Sequence, residues 1–82
     1  MRAAVYHGPR DVRVEDAPAP GAPGPGELLL DVDLAAICGT DANEYRNERP
    51  AYVPLDAPHR NSGHVGPMII GHEFCGRVAE VG

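Results

Sequence analysis

The clearest alternation of apolar and polar positions runs from Glu27 to Ile37. Leu28, Leu30, Val32, Leu34 and Ala36 fall on one side, and Asp31 and Asp33 on the other together with Leu29. A period of two predicts a strand, and it fits better than a helical period. Upstream, residues 2–7 and 11–15 flank Gly8-Pro9. In the second stretch Val12 and Val14 share one face and Asp11, Arg13 and Glu15 the other, which predicts two short strands in a hairpin. Between these elements, Asp16–Gly26 holds Pro18, Pro20, Pro23 and Pro25 with three glycines, a composition that reads as an extended connector.

The long strand ends at Cys38-Gly39. Thr40 or Asp41 is suited to cap a helix, and Asp41-Ala42-Asn43-Glu44 has capping-box spacing, so a helical turn or two is expected over about residues 41–46. Arg46–Pro67 follows, 22 residues with four prolines and little periodicity. Loops beyond about 12–15 residues are uncommon in compact domains and are usually functional or disordered. Met68–Val81 is β-like again, punctuated by Gly71 and Gly76, and no internal repeat is present.

Composition narrows the class. The chain has 82 residues, of which 17 are Leu, Ile, Val or Phe, so its core is small and its fold marginal. Ten glycines and nine prolines imply a large non-helical fraction. Net charge is −5 and all seven bases are scattered arginines, unlike the clustered basic footprint of a nucleic-acid binder. No apolar run approaches the roughly 18 residues of a membrane span. The first nine residues are too short and polar for a signal peptide. A soluble, cytoplasmic, β-rich chain is expected, contacting neither nucleic acid nor membrane.

Cys38-Gly39-Thr40-Asp41 at a strand end and Gly71-His72-Glu73 at a later strand start carry the candidate chemistry. Thiolate, imidazole and carboxylate are natural zinc ligands, and catalytic zinc usually takes three protein ligands plus an open position. Spacing alone does not establish such a site, because no C-x-x-C pair is present. Cys38 reads equally as a small buried residue, His72 as a satisfied histidine and Glu73 as a solvated carboxylate. Cys75 reads as core, and a Cys38–Cys75 disulfide stays open. His7, His59 and His64 read as solvated.

Four stretches together resemble the N-terminal part of zinc-dependent medium-chain alcohol dehydrogenases. They are Met1-Arg2-Ala3-Ala4-Val5-Tyr6, Gly24-Pro25-Gly26-Glu27-Leu28, Ile37-Cys38-Gly39-Thr40-Asp41 and Gly71-His72-Glu73-Phe74-Cys75-Gly76 with Val81-Gly82. Val53-Pro54-Leu55-Asp56-Ala57-Pro58-His59 is similar to the 2,3-butanediol and sorbitol dehydrogenase branch. The resemblance covers essentially all 82 residues. It implies a mainly β, GroES-like barrel, incomplete in residues 1–82, with a Rossmann NAD-binding domain outside this chain. No G-x-G-x-x-G occurs here.

The resemblance also implies roles. Cys38 and His72 bind catalytic zinc, Glu73 lies beside the metal and is an occasional ligand, and Thr40 hydrogen-bonds the substrate alcohol and starts a proton relay. NAD or NADP is the second cofactor, and a small secondary alcohol or diol the substrate. Many relatives end the relay at a His where this chain has Asn43, and the third zinc ligand lies beyond residue 82. The isolated chain is therefore expected to be inactive. Missing barrel strands would leave the edges of Glu27–Ile37 and His72–Val81 open, so a homo-oligomer is expected. A stand-alone, noncatalytic GroES-like domain acting through protein contacts is the alternative. A zinc-free quinone-reductase-like relative is disfavoured by the presence of Cys38, His72 and Glu73.

Overall fold

The computed structural model describes all 82 residues and contains five strands and one helix. β1 (Arg2–Gly8) and β2 (Asp11–Asp16) form the expected antiparallel hairpin, with a bulge between Tyr6 and Gly8. β3 (Leu28–Ala36) leads into α1 (Gly39–Arg46). After a long loop come β4 (Met68–Ile69) and β5 (Glu73–Val81). β4 pairs antiparallel with β1, giving the order β2-β1-β4, and β3 pairs antiparallel with β5 in a separate ribbon. The fold is mainly β, a partial GroES-like domain whose strands do not close into a barrel.

Met68–Val81, read as one β-like stretch, is thus two strands in two sheets. The switch falls at Gly71, whose φ of 128° lies where a side chain is disfavoured. The two edges expected to be open are paired with each other instead, from Leu28↔Val81 to Ala36↔Glu73, so each strand leaves only its outer edge free. At Gly76 the strands approach so closely that a Cβ would collide with the Asp31 carbonyl. A glycine is required there by contact rather than by torsion.

Helix α1 begins earlier than the sequence suggests. Its N-cap is Cys38, with extended backbone at φ −87° and ψ 159°, and Gly39 and Thr40 are already helical. Asp41 acts from the third helical position, where its carboxylate accepts the Cys38 backbone N–H at 3.0 Å. The box is therefore Cys38-x-x-Asp41, three residues ahead of the expected Asp41–Glu44 box, because the chain turns at the end of β3 itself. Asp41 in the first turn and Arg46 in the last complement the helix dipole.

Glu44 has a different task. Its side chain is almost completely buried, and its carboxylate accepts the backbone N–H groups of Ala51, Tyr52 (2.8 Å) and Val53 (2.8 Å). Its own carbonyl accepts the hydroxyl of fully buried Tyr6 at 3.1 Å. Val5, Tyr6 and Val53 are the only buried apolar side chains. Residues 47–67 contain no helix or strand, as expected. They are nevertheless folded down on α1 and β1, with Leu55 3.7 Å from the position a Cβ would take on Gly8.

The remaining apolar surface is largely uncovered. Leu28, Val32, Leu34, Phe74, Val78 and Val81 of the ribbon are all more than half exposed. Cys75, read as core, is exposed opposite Leu34, because no layer lies over the ribbon there. Between ribbon, helix and hairpin lies an open cleft of about 710 Å³, lined mainly by apolar side chains including Val12, Val32, Ile37, Ile69 and Phe74.

Replacing Glu44 by Ala should cost about 3 kcal/mol, since three donors lose a charged acceptor inside the structure. Hydrogen exchange at the amides of residues 51–53 should accelerate far more than exchange in β3 and β5. Equal acceleration throughout would show that the carboxylate does not hold this loop.

Candidate functional site

Strand register builds the site. The last pair of the ribbon is Ala36↔Glu73, so Cys38 lies just beyond the end of β3 and His72 just before the start of β5. Residues 34 positions apart are brought to one end of one ribbon. His72 precedes the strand, so alternation along β5 does not govern its direction.

At this end Thr40 Oγ1 lies 3.3 Å from His72 Nε2. The other ring nitrogen, Nδ1, faces Asp41 Oδ1 at 3.6 Å, an ion-pair distance when the imidazole is protonated. The Cys38 thiol lies near both Thr40 and the His72 ring. Hydrogen bonds from the Thr40 side chain and backbone, and then from His72, hold the thiol below its ordinary pKa. The His72 pKa is raised, first by its hydrogen bond to Cys38 and then, against desolvation, by the charges of Asp41, Cys38 and Glu73. Both shifts belong to one pair and favour the charged form of each group.

The donor set suits zinc in kind, because a thiolate and an imidazole at one place are two of the three protein donors that catalytic zinc takes. Cys38 and His72 come together. Glu73 is close enough for its charge to act on both, but no three His, Cys, Asp or Glu side chains gather to hold a metal. Thr40 sits between the two donors and touches His72. Asn43, at the expected end of the relay, turns to Arg46, whose Nη2 it accepts at 2.6 Å. Cys38 and Cys75 are both free thiols.

The other histidines divide. His59 and His64 are exposed, and they brace their own loop by accepting the amides of Asn61 and Ser62 and by contacting the Gly66 carbonyl. His7, read as solvated, is instead partly buried against Glu15, with Nε2 2.7 Å from Oε1, because the hairpin brings residues eight apart together.

Two residues escaped the sequence reading. Asp41 was visible only as a cap, yet it is buried and shared between the Cys38 backbone and the His72 ring. Tyr52 donates its hydroxyl to Asp41 Oδ1 at 3.1 Å from inside the irregular loop. The Cys38-x-x-Asp41 spacing could have revealed the first contact. No local pattern announces the second.

Residues 24–82 match the family model described as Alcohol dehydrogenase GroES-like domain. The chain belongs to this family, within the medium-chain alcohol dehydrogenase superfamily that the sequence resembles. The (R,R)-butanediol dehydrogenase of Bacillus subtilis is 39% identical over 82 residues, which is 100% of this chain and 23% of that protein. A protein named Zinc-type alcohol dehydrogenase B, of Aspergillus flavus, is 37% identical over 82 residues, 100% of this chain and 16% of that protein. The crystal structure of 2R,3R-butanediol dehydrogenase from Bacillus subtilis matches with a TM-score of 0.89 and 38% identity, covering 99% of this chain and 23% of that one. The chain thus spans less than a quarter of the length of these relatives.

The Tyr52 hydroxyl gives an alkaline signature. Desolvation first, and then the hydrogen bond to Asp41, push its pKa up to about 12 from 10.0. The unfolded chain therefore ionises first, and stability falls as pH rises from about 10 to about 12. Tyr52→Phe should remove part of that fall. Denaturant midpoints across this range provide the measurement, and an identical alkaline slope in the variant would contradict the assignment.

Proposed function

We propose that this chain is the N-terminal portion of the catalytic domain of a zinc- and NAD(P)-dependent alcohol dehydrogenase of the butanediol type, oxidising a small secondary alcohol or diol by hydride transfer. The observation that carries the reading is the meeting of the Cys38 thiol, the His72 ring and the Thr40 hydroxyl at one end of the ribbon. The similarity to butanediol dehydrogenase over the whole chain supports the same substrate class. The dinucleotide-binding domain and a third metal donor then belong to a part of the enzyme outside residues 1–82. A cytoplasmic homo-oligomer goes with this reading, and the free outer edges of β3 and β5 give such association a physical basis.

Cys38 Sγ and a ring nitrogen of His72 would hold zinc, and Glu73 beside them would adjust the charge or enter as an occasional ligand. Bound there, zinc would supply Lewis-acid activation of a substrate alcohol, and a nicotinamide would supply the hydride acceptor. The protein's own residues manage the proton. Thr40 Oγ1 can accept it from the substrate hydroxyl and pass its own onward, because a hydroxyl both donates and accepts. The lowered thiol pKa favours the thiolate that ligates a metal, whereas the raised His72 pKa works against the neutral ring that ligates. Asn43, engaged with Arg46, contributes no titrating group to the relay.

In the full-length protein, Cys38→Ser should bring zinc content to background together with alcohol-dependent NAD(P) reduction. Thr40→Val should keep the zinc and lower kcat/KM by about 10²-fold or more. Unchanged zinc stoichiometry in the Cys38 variant would overturn the metal assignment, and an unaffected rate in the Thr40 variant would remove the relay.

A further inference from the structure

Asp41 is a junction rather than a cap alone. Its buried carboxylate accepts the Cys38 backbone N–H through Oδ2 at 3.0 Å. The other oxygen, Oδ1, accepts the Tyr52 hydroxyl at 3.1 Å and faces His72 Nδ1 at 3.6 Å. One carboxylate therefore touches the backbone of one candidate zinc ligand and the ring of the other. Tyr52 is the only side chain that donates a hydrogen bond to the oxygen facing His72.

Tyr52 is itself held firmly. Its own N–H, with those of Ala51 and Val53, is fixed on the buried Glu44 carboxylate. Glu44 and Asp41 lie three positions apart on α1, so the helix sets the distance between the clasp and the carboxylate that Tyr52 reaches. Without the hydroxyl, Asp41 is anchored only through Oδ2 and can swing about its last torsion. Groups that orient a metal-ligating histidine typically change metal affinity by about 10–100-fold when removed.

We propose that Tyr52 is a positioning residue for the Cys38–His72 pair, acting through the Asp41 carboxylate. This rests on the metal-binding reading above for its functional consequence, but not for the positioning itself. Tyr52 makes no hydrogen bond to Cys38 or His72 and bonds only Glu44 and Asp41. It belongs to a long irregular loop that the metal chemistry otherwise leaves without a task.

The test uses two readouts on the full-length protein. The first is the ring-nitrogen chemical shifts of His72 in the metal-free protein at one fixed pH, with His7, paired to Glu15 on the hairpin, as the internal control of an intact fold. The second is zinc affinity by chelator competition, measured for Tyr52→Phe, for Asp41→Asn and for the double variant. We expect Tyr52→Phe to move the His72 shifts, leave those of His7 in place and weaken zinc binding about tenfold. In the Asp41→Asn background the same change should have little further effect.

Wild-type His72 shifts and wild-type zinc affinity in Tyr52→Phe would overturn the proposal. So would an equal loss of affinity with and without the Asp41 carboxylate, which would mark a general effect on stability. A His72 response in a protein that takes up no zinc would support the positioning and overturn the metal reading instead. If Tyr52→Phe loses the His7 signals, 3-fluorotyrosine at position 52 replaces it. That residue keeps the ring and is a stronger donor, so the His72 shifts must move, and their constancy would overturn the proposal.

Discussion

Three consecutive backbone N–H groups, from Ala51, Tyr52 and Val53, converge on the Glu44 carboxylate in a region with little other support. Only three apolar side chains are buried, so burial alone does not fix a proline-rich loop on this scaffold. A charged acceptor inside the structure does, because charge-assisted bonds are roughly twice as strong as neutral ones and leaving such donors unpaired is costly. The same helix turn presents the Glu44 carbonyl to Tyr6, tying β1 to α1. The Arg10 N–H reaches the Tyr45 carbonyl at 2.8 Å and ties the hairpin tip to it as well. Loop, hairpin and helix are thus joined within residues 44–45, and the order of the Asp41 network follows.

The uncovered ribbon is the counterpart of this local order. A compact monomer of this mass would expose about 4,700 Å². The chain exposes 6187 Å² and measures 39 × 27 × 23 Å. Part of that exposure lies on β3 and β5, where Leu28, Leu34, Phe74 and Val81 are all more than half exposed. Apolar alternation along β3 thus predicts the strand without predicting burial, since Leu28, Val32 and Leu34 stand more than half exposed.

What could be read from the sequence follows from how local each cause is. The hairpin around Gly8-Pro9 and the strand over Leu28–Ala36 are short-range patterns, and both are present close to their expected limits. The helix was legible as an element but not in its first turn, because Cys38 rather than Thr40 or Asp41 occupies the cap. The split of Met68–Val81 between two sheets was not legible, since partner choice is set by strands more than thirty residues away. In the site, Cys38, Thr40 and His72 were identifiable from their motifs, and the structure brings all three together. Glu44 and Tyr52 were not, because their roles exist only once an aperiodic loop has folded back on α1. His7 was misread for the same reason: its partner Glu15 is supplied by the other strand of the hairpin.

The register of the ribbon shows why the site can form at all. Pairing starts at Leu28↔Val81 and ends at Ala36↔Glu73 in the same frame, yet it shifts twice between them. Near Leu29 and Leu30 an extra residue, Ala79, falls on β5, and between Val32 and Leu34 an extra residue, Asp33, falls on β3. The two bulges cancel. Between them lies Gly76, packed against the backbone of Asp31 and Val32 so tightly that no side chain fits. Either bulge alone would leave the far end one residue out of step, and a slip of one residue turns every side chain to the opposite face. Cys38 and His72 would then leave the ribbon in mismatched positions. The meeting of a thiol and an imidazole 34 residues apart thus depends on two irregularities and one glycine in a strand pair that holds neither of them, and bulges of this kind are devices for aiming a site rather than faults in the sheet.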